Sequence, residues 1–223
     1  MPLLNPEIMT FLSLLEKNNN REWFEKNKKL YLSAKNSFDD FVLLLIQTAK
    51  SIDPEIGFPE PKNCTFRIYR DVRFSKEKTP FKTNFGAYIS KGGKNSEWAG
   101  YYFHLEPSES FIAGGKYQPQ GPALKSIREA IFYEPDIFRG IIENPSFKKH
   151  FPGIMGDTLK TAPQGYPKDH PDIDLLKYKD YAVYKPLNSA ILGSPGLLDE
   201  IKSAWTELKI LNDFLNKAIH HIA

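Results

Sequence analysis

The apolar positions switch period along the chain, and each switch marks an element. Ile8, Phe11, Leu12 and Leu15 recur at helical spacing behind Asn5-Pro6-Glu7. That triplet is a helix start: Asn caps, Pro fits the first turn and Glu complements the dipole. Asn18-Asn19-Asn20 ends the first helix and caps a second. Trp23, Phe24, Tyr31, Phe38, Phe41, Leu45 and Ala49 then follow at helical intervals, predicting a long amphipathic helix with a break near Ser33–Ser37. It stops before Asp53-Pro54, because the residue preceding proline disfavours the α region.

Gly57–Lys62 reads as a loop, and from Asn63 the period becomes two. Cys64, Phe66, Ile68, Val72 and Phe74 would face one side of a strand, with Thr65, Arg67, Tyr69, Asp71 and Arg73 on the other. Phe85–Ser90, Trp98–Glu106 and Phe111–Tyr117 read as further strands, the last two a hairpin. Gly114-Gly115 implies a bulge or a close backbone approach. Helical patterns return after Pro119–Pro122 and over Pro135–Ile142. Pro145–Pro171 is mostly irregular, Ile173–Leu176 is a helical turn and Tyr181–Tyr184 a strand. A final helix covers Leu197–Ile219, striped by Leu198, Ile201, Trp205, Leu208, Leu211 and Leu215. Helices flanking a strand-rich block give an α+β fold: a central, mostly antiparallel sheet with long N- and C-terminal helices, in one domain over 1–223.

Composition adds bounds. Apolar residues at 41% and charged residues at 26% suffice for a core without disulfides or structural metal. The aromatic share of 13% is high; most such rings go to packing, and an aromatic-lined pocket is the sharper alternative. A net charge of +3 is mild for a dedicated nucleic-acid binder. The single cysteine, Cys64, reads as a small buried residue in a reducing, cytoplasmic setting. Met1–Asn5 has no basic n-region with an apolar h-region behind it, and Val42–Ile46 is the longest aliphatic run, so neither secretion nor membrane insertion is expected.

Candidate chemistry concentrates in Phe66–Lys82. Alternation puts Arg67 and Arg73 beside Asp71, two guanidinium forks around a carboxylate that could present them to an anion. Lys78 and Lys82 follow on a loop from Ser75 that could close over the same guest. Arg70 falls on the apolar side and should meet a carboxylate, with the Lys168–Asp174 loop one source. The bland alternative is an edge strand protected by charge. His104 shares a strand face with Tyr102 and Glu106, so Asp71 and His104 are the candidates for proton transfer, although a lone strand histidine is more often structural. Lys168–Asp174 lacks metal-ligand spacing, and Asp172 reads as a cap. Glycine-rich nucleotide loops and the hydrolase elbow are missing, and no cofactor is indicated.

Four long blocks carry a family resemblance. They are Asn19–Lys28, Phe66–Lys82, Gly100–Leu105 with Gly114-Gly115, and Gly165–Pro171. On these the chain resembles, over nearly its whole length, the conserved hypothetical proteins of bacteria and fungi known as domain of unknown function 2461. The resemblance brings no activity, substrate or cofactor, so no residue role is carried over. The residues themselves favour a small anionic ligand, phosphate or carboxylate bearing, at Arg67, Arg73, Lys78 and Lys82. The alternatives are a nucleic acid stacked on Tyr69 and Tyr102, or a non-catalytic partner-binding domain whose arginines are all paired internally.

Overall fold

The structure is a computed structural model that describes residues 3–71, 73 and 78–221. Helix α1 (Pro6–Lys17) starts as its sequence directs: Asn5 Oδ1 accepts the Glu7 N–H at 3.0 Å, and Ile8, Phe11, Leu12 and Leu15 are buried. Asn20 Oδ1 caps α2 (Arg21–Lys26) by accepting the Trp23 N–H at 2.9 Å.

The break before α3 (Lys28–Ile52) falls at Asn27, not near Ser33–Ser37. Asn27 leaves helical geometry at φ −107°, ψ 19°, and its side-chain amide donates to the Trp23 carbonyl at 2.9 Å. The two serines stay helical because their hydroxyls serve α1. Ser37 Oγ accepts from Asn5 Nδ2 at 3.1 Å and Ser33 Oγ donates to Glu7 at 3.2 Å, so neither competes for the α3 backbone. Helix α3 ends at Asp53, in extended geometry before Pro54. A 3-10 turn (Pro54–Ile56) and the one-turn helix α4 (Pro61–Cys64) occupy the stretch expected to be a loop.

Strands β1 (Phe85–Ile89), β2 (Gly100–Leu105), β3 (Ser110–Lys116) and β4 (Tyr181–Leu187) form an antiparallel sheet in sequence order. Between β3 and β4 run α5 (Gly121–Tyr133), α6 (Pro135–Ile142), α7 (Pro145–His150) and α8 (Ile173–Leu176). The short α9 (Ser189–Leu192) precedes α10 (Leu197–His220). The α+β expectation holds. The long strand expected from Asn63 does not form among the described residues. The chain bridges β1 at Thr65↔Ala87, then folds on itself at Tyr69↔Phe81. Lys82 N–H donates to the Ile68 carbonyl at 2.8 Å and Arg70 N–H to the Pro80 carbonyl at 2.9 Å. Pro80 has no N–H to return, which limits that ladder. Val72, Phe74 and the start of the expected loop, 75–77, lie outside the described residues.

Helices α3 and α10 cover one face of the sheet. Phe38 stacks on Phe85 and Phe41 meets Phe103 at a tilt, each at 5.1 Å between ring centres, and Trp205 meets Tyr101 at 5.1 Å. Gly114 permits the contact with α10: a Cβ there would stand 2.2 Å from Leu208 Cδ2 and 2.5 Å from the Gly100 carbonyl. Two buried asparagines on α10 then satisfy strand groups. Asn212 Oδ1 accepts the Gly115 N–H at 3.1 Å while its amide donates to the Gly100 carbonyl at 3.3 Å. Asn216 Oδ1 accepts the Ala99 N–H at 2.7 Å, and its amide faces the Ala99 carbonyl at 3.3 Å. Among the described residues, no helix is long and apolar enough to cross a membrane.

Replacing Asn212 by Leu preserves volume but leaves the Gly115 N–H and the Gly100 carbonyl buried without partners. Each orphaned group costs about 1–3 kcal/mol, so urea denaturation should show a loss in that range or above. Asp213→Ala, which removes only an exposed pair with Lys209, should stay within about 0.5 kcal/mol of the parent.

Candidate functional site

The opposite face of the sheet forms the floor of a cavity of about 560 Å3, walled by the segment before β1 and by the β1–β2 turn. Period-two alternation builds this floor. Tyr88 on β1, Tyr102 and His104 on β2, and Phe111 and Ala113 on β3 share one side, in the registers Tyr88↔Tyr102↔Ala113 and Gly86↔His104↔Phe111. Phe111 stacks on the His104 ring at 4.5 Å and 10°.

A continuous polar chain runs from the floor residues Tyr102 and His104 to Glu106, one residue past the end of β2. Tyr102 Oη lies 3.0 Å from His104 Nδ1, and His104 Nε2 lies 3.1 Å from Glu106 Oε2. Glu106 Oε1 accepts from Thr83 Oγ1 at 2.5 Å, which fixes the carboxylate. An ionised carboxylate only accepts, so Nε2 carries the imidazole hydrogen and Nδ1 offers its lone pair to the Tyr102 hydroxyl. Asn84 Nδ2 approaches the same Nδ1 at 3.4 Å. Burial, and then the Glu106 charge, push the Tyr102 phenol up to about 12, so it is a donor at neutral pH. Gly86 makes room for it: a Cβ at Gly86 would meet Tyr102 Oη at 2.5 Å. Tyr88, half-buried beside it, directs its hydroxyl to the Trp98 and Gly115 carbonyls, at 2.9 and 3.2 Å.

Cations rim the cavity. Lys82 lies over the Phe66 ring at 5.6 Å, and its pKa is lowered by burial and then by Arg67 and Arg70. Among the described residues no carboxylate stands at ion-pair distance from Lys82, Arg67 or Arg70. Lys94 donates to the Lys62 carbonyl at 2.6 Å, and Lys116 pairs with Glu97 at 3.1 Å.

The candidate residues from the sequence separate. Lys82 and His104 line the cavity; Arg67, Asp71, Arg73 and Lys78 are exposed outside its lining. The Arg67–Asp71–Arg73 face resolves into a fork from Arg73 to Asp71, Nε at 3.0 Å and a terminal nitrogen at 2.7 Å. Those bonds, with the Arg73 N–H, hold the Asp71 carboxyl at about 2. Arg70 meets no carboxylate among the described residues, contrary to expectation, and its Nε is buried without a hydrogen-bond partner. The acids expected for it serve Arg139, whose guanidinium binds Asp172 and, at 3.0 Å, Asp174. Asp172 accordingly does not cap α8 with its side chain. Tyr69 is half exposed against Phe24 and Phe81 and does not join Tyr102 as a stacking platform. Cys64 is buried and its thiol is pushed up to about 11, which suits packing and not nucleophilic attack.

Sequence reasoning missed Tyr88, Phe111, Lys94 and Lys116. Alternation carried a signal for the first two. Lys94 sat in what reads only as a turn, and Lys116 enters through the twist at Gly115, whose φ is +92°. A second cluster, His150 with Lys185, Glu200 and Ser203, is a packing network. Lys185 donates to His150 Nδ1 at 2.8 Å, so Nε2 bears the hydrogen and faces Ser203 Oγ at 3.2 Å as a donor, unable to activate it. Among the described residues, no three His, Cys, Asp or Glu side chains converge as a metal site.

These features define an α+β protein with one sheet face in the core and the other presenting an aromatic, cation-rimmed cavity. The chain belongs to the conserved hypothetical protein family DUF2461, whose model matches residues 7–214. Comparison with curated proteins gives no match, and comparison with solved structures gives none.

The Arg73 fork sets a measurable titration. Carboxyl NMR should show Asp71 titrating near 2, against an ordinary value of 3.8. Because the folded value is depressed, the pair's contribution is present above the ordinary value and fades as pH falls through the folded one. Arg73→Ala should return the midpoint to about 4.

Proposed function

We propose that this chain binds a small anionic ligand with a flat apolar body in the cavity on the open sheet face. The carrying observation is Lys82: a half-buried ammonium on an aromatic cavity wall, neighboured by Arg67 and Arg70, with no carboxylate at ion-pair distance among the described residues. An uncompensated cation of this kind favours an anion from outside. The rings of Phe66, Tyr102 and Phe111 suit the body of the guest, and Lys82 suits its phosphate or carboxylate. The single buried thiol and the absence of a membrane-crossing helix among the described residues are compatible with a cytoplasmic setting.

A nucleic-acid strand is less well served. It needs a continuing basic track, whereas Arg73 pairs with Asp71 and Lys116 with Glu97. A domain that only packs its arginines is disfavoured as well, since among the described residues no carboxylate stands at ion-pair distance from Arg67, whose charge reaches Asp71 only at longer range, or from Arg70.

Thermal-shift and calorimetric titration with inorganic phosphate, benzoate and phenyl phosphate tests the reading. Phenyl phosphate should bind more tightly than either fragment, and Lys82→Glu should weaken it about tenfold or more. Undiminished binding to Lys82→Glu, or no binding of any of the three to the parent, would overturn the reading. Preferential, steeply salt-dependent binding of a single-stranded oligonucleotide would replace it with the nucleic-acid one.

A further inference from the structure

We infer that the cavity is catalytic, with Tyr102, His104 and Glu106 acting as a relay that removes a proton from the bound ligand. The inference rests on the binding site proposed above and adds chemistry to it. Three observations carry it. Tyr102 and His104 occupy successive inward positions of β2 on the floor of an open cavity and not in the apolar core, and Glu106 follows at the next position of the same alternation, one residue past the strand end. Their hydrogen bonds run in one direction: Thr83 fixes one oxygen of Glu106, the other holds His104 Nε2, and Nδ1 is left to Tyr102. A merely structural histidine would need only its own two partners. Here the carboxylate behind it is itself anchored, the arrangement that fixes the ring's orientation and tautomer. Gly86, paired with His104 across the ladder, leaves the space that the Tyr102 hydroxyl occupies.

The step balances within these groups. A ligand X–H gives its proton to Tyr102 Oη as the phenol's own proton passes to His104 Nδ1. The bonding pair stays on X, and the imidazolium sits between the phenol and the Glu106 carboxylate. Return of the proton restores the resting state. Tyr102 is the catalytic residue because it meets the ligand; His104 acts through it, and Glu106 positions His104. The titratable groups facing the imidazole are Tyr102 and Glu106 on its own strand and Lys82 on the cavity wall; β3 offers it only the Phe111 ring. Lys82 would receive the anion that forms. The substrate class is a planar C–H or O–H acid whose conjugate base is an anion.

Nitrobenzisoxazole is a suitable probe, being flat, aromatic and opened by removal of one C–H proton. The C–H pair becomes part of a nitrile, the N–O bond breaks and the ring opens to one coloured product, a cyanonitrophenolate. The parent should accelerate this reaction about a hundredfold over His104→Ala, the scale of general base catalysis. Tyr102→Phe should lose at least about tenfold. Gly86→Ala, which deletes no polar group but displaces the phenol, should lose a similar factor. Glu106→Gln should lower kcat for the probe while leaving KM within about twofold, because a neutral amide oxygen is a weaker acceptor for the His104 Nε2–H. Calorimetry with the same probe separates binding from chemistry. A parent that binds the probe but turns it over no faster than His104→Ala overturns the relay and leaves the binding site standing. Failure of both the probe and the anion panel to bind removes the two together. Nitrogen NMR of the folded parent gives a ligand-independent check: a resting His104 with its hydrogen on Nδ1 would also overturn the relay.

Discussion

The approach of α10 to the sheet is the constraint on which the other features hang. A helix can approach a strand this closely only where the strand lacks a side chain, and Gly114 provides that position under Leu208. Such an approach buries backbone groups at the ends of β2 and β3 that water would otherwise serve, and buried amides without partners are costly. Asn212 and Asn216 answer both halves of the problem. Each carries a donor and an acceptor, and their four-residue spacing puts them on one helical face over Gly115, Gly100 and Ala99. With that contact made, Trp205, Phe38 and Phe41 fill one face of the sheet, and the ladder is held rigidly enough to support a different chemistry on the other.

The two faces follow from one period. A strand turns successive side chains to opposite sides, so the residues that bury Tyr101, Phe103 and Leu105 necessarily present Tyr102, His104 and Glu106 across the sheet. The polar chain is therefore positioned by the core and not by a flexible loop. Gly115 adds a second effect. Its positive φ twists the end of β3 and brings Lys116 toward the cavity wall, where Ser96 and Glu97 receive it.

Much of this was legible in the sequence wherever one period dominated. The helix starts at Asn5 and Asn20, the ends of the long helices, the β2–β3 hairpin and the face shared by Tyr102, His104 and Glu106 all follow from local pattern. What escaped depends on groups distant in sequence. A Ser-rich stretch in α3 reads as a weak point until α1 is known to engage Ser33 and Ser37. Asn212 reads as a polar interruption of a leucine stripe until the Gly115 amide is known to lie beneath it. The basic segment reads as a strand because its alternation is real, but alternation does not say whether a partner strand is available; beyond Thr65 the chain leaves β1 and pairs with its own residues at Phe81. Of the arginine–aspartate face, Asp71 closes locally on Arg73, and Arg67 reaches it through its charge alone.

Charge placement gives the last step. Several partly buried cations are neutralised by acids: Arg139 takes Asp172 and Asp174, Lys185 takes Glu200, and Lys116 takes Glu97. Lys82 departs from these: no carboxylate stands at ion-pair distance among the described residues, and burial, then the guanidiniums of Arg67 and Arg70, depress its pKa. The sign of this departure matters. A lysine whose folded pKa is lowered weakens the fold while its folded form is charged, and the penalty disappears only as pH rises past its unfolded value. An anion bound at the cavity would reverse the effect by restoring the preference for the charged form, so ligand binding and proton uptake at Lys82 would be coupled with a positive sign. Stability conceded at one wall of a cavity, opposite a fully connected Tyr–His–Glu chain on its floor, is the distribution expected where a site is arranged for a guest and not for the apo fold alone.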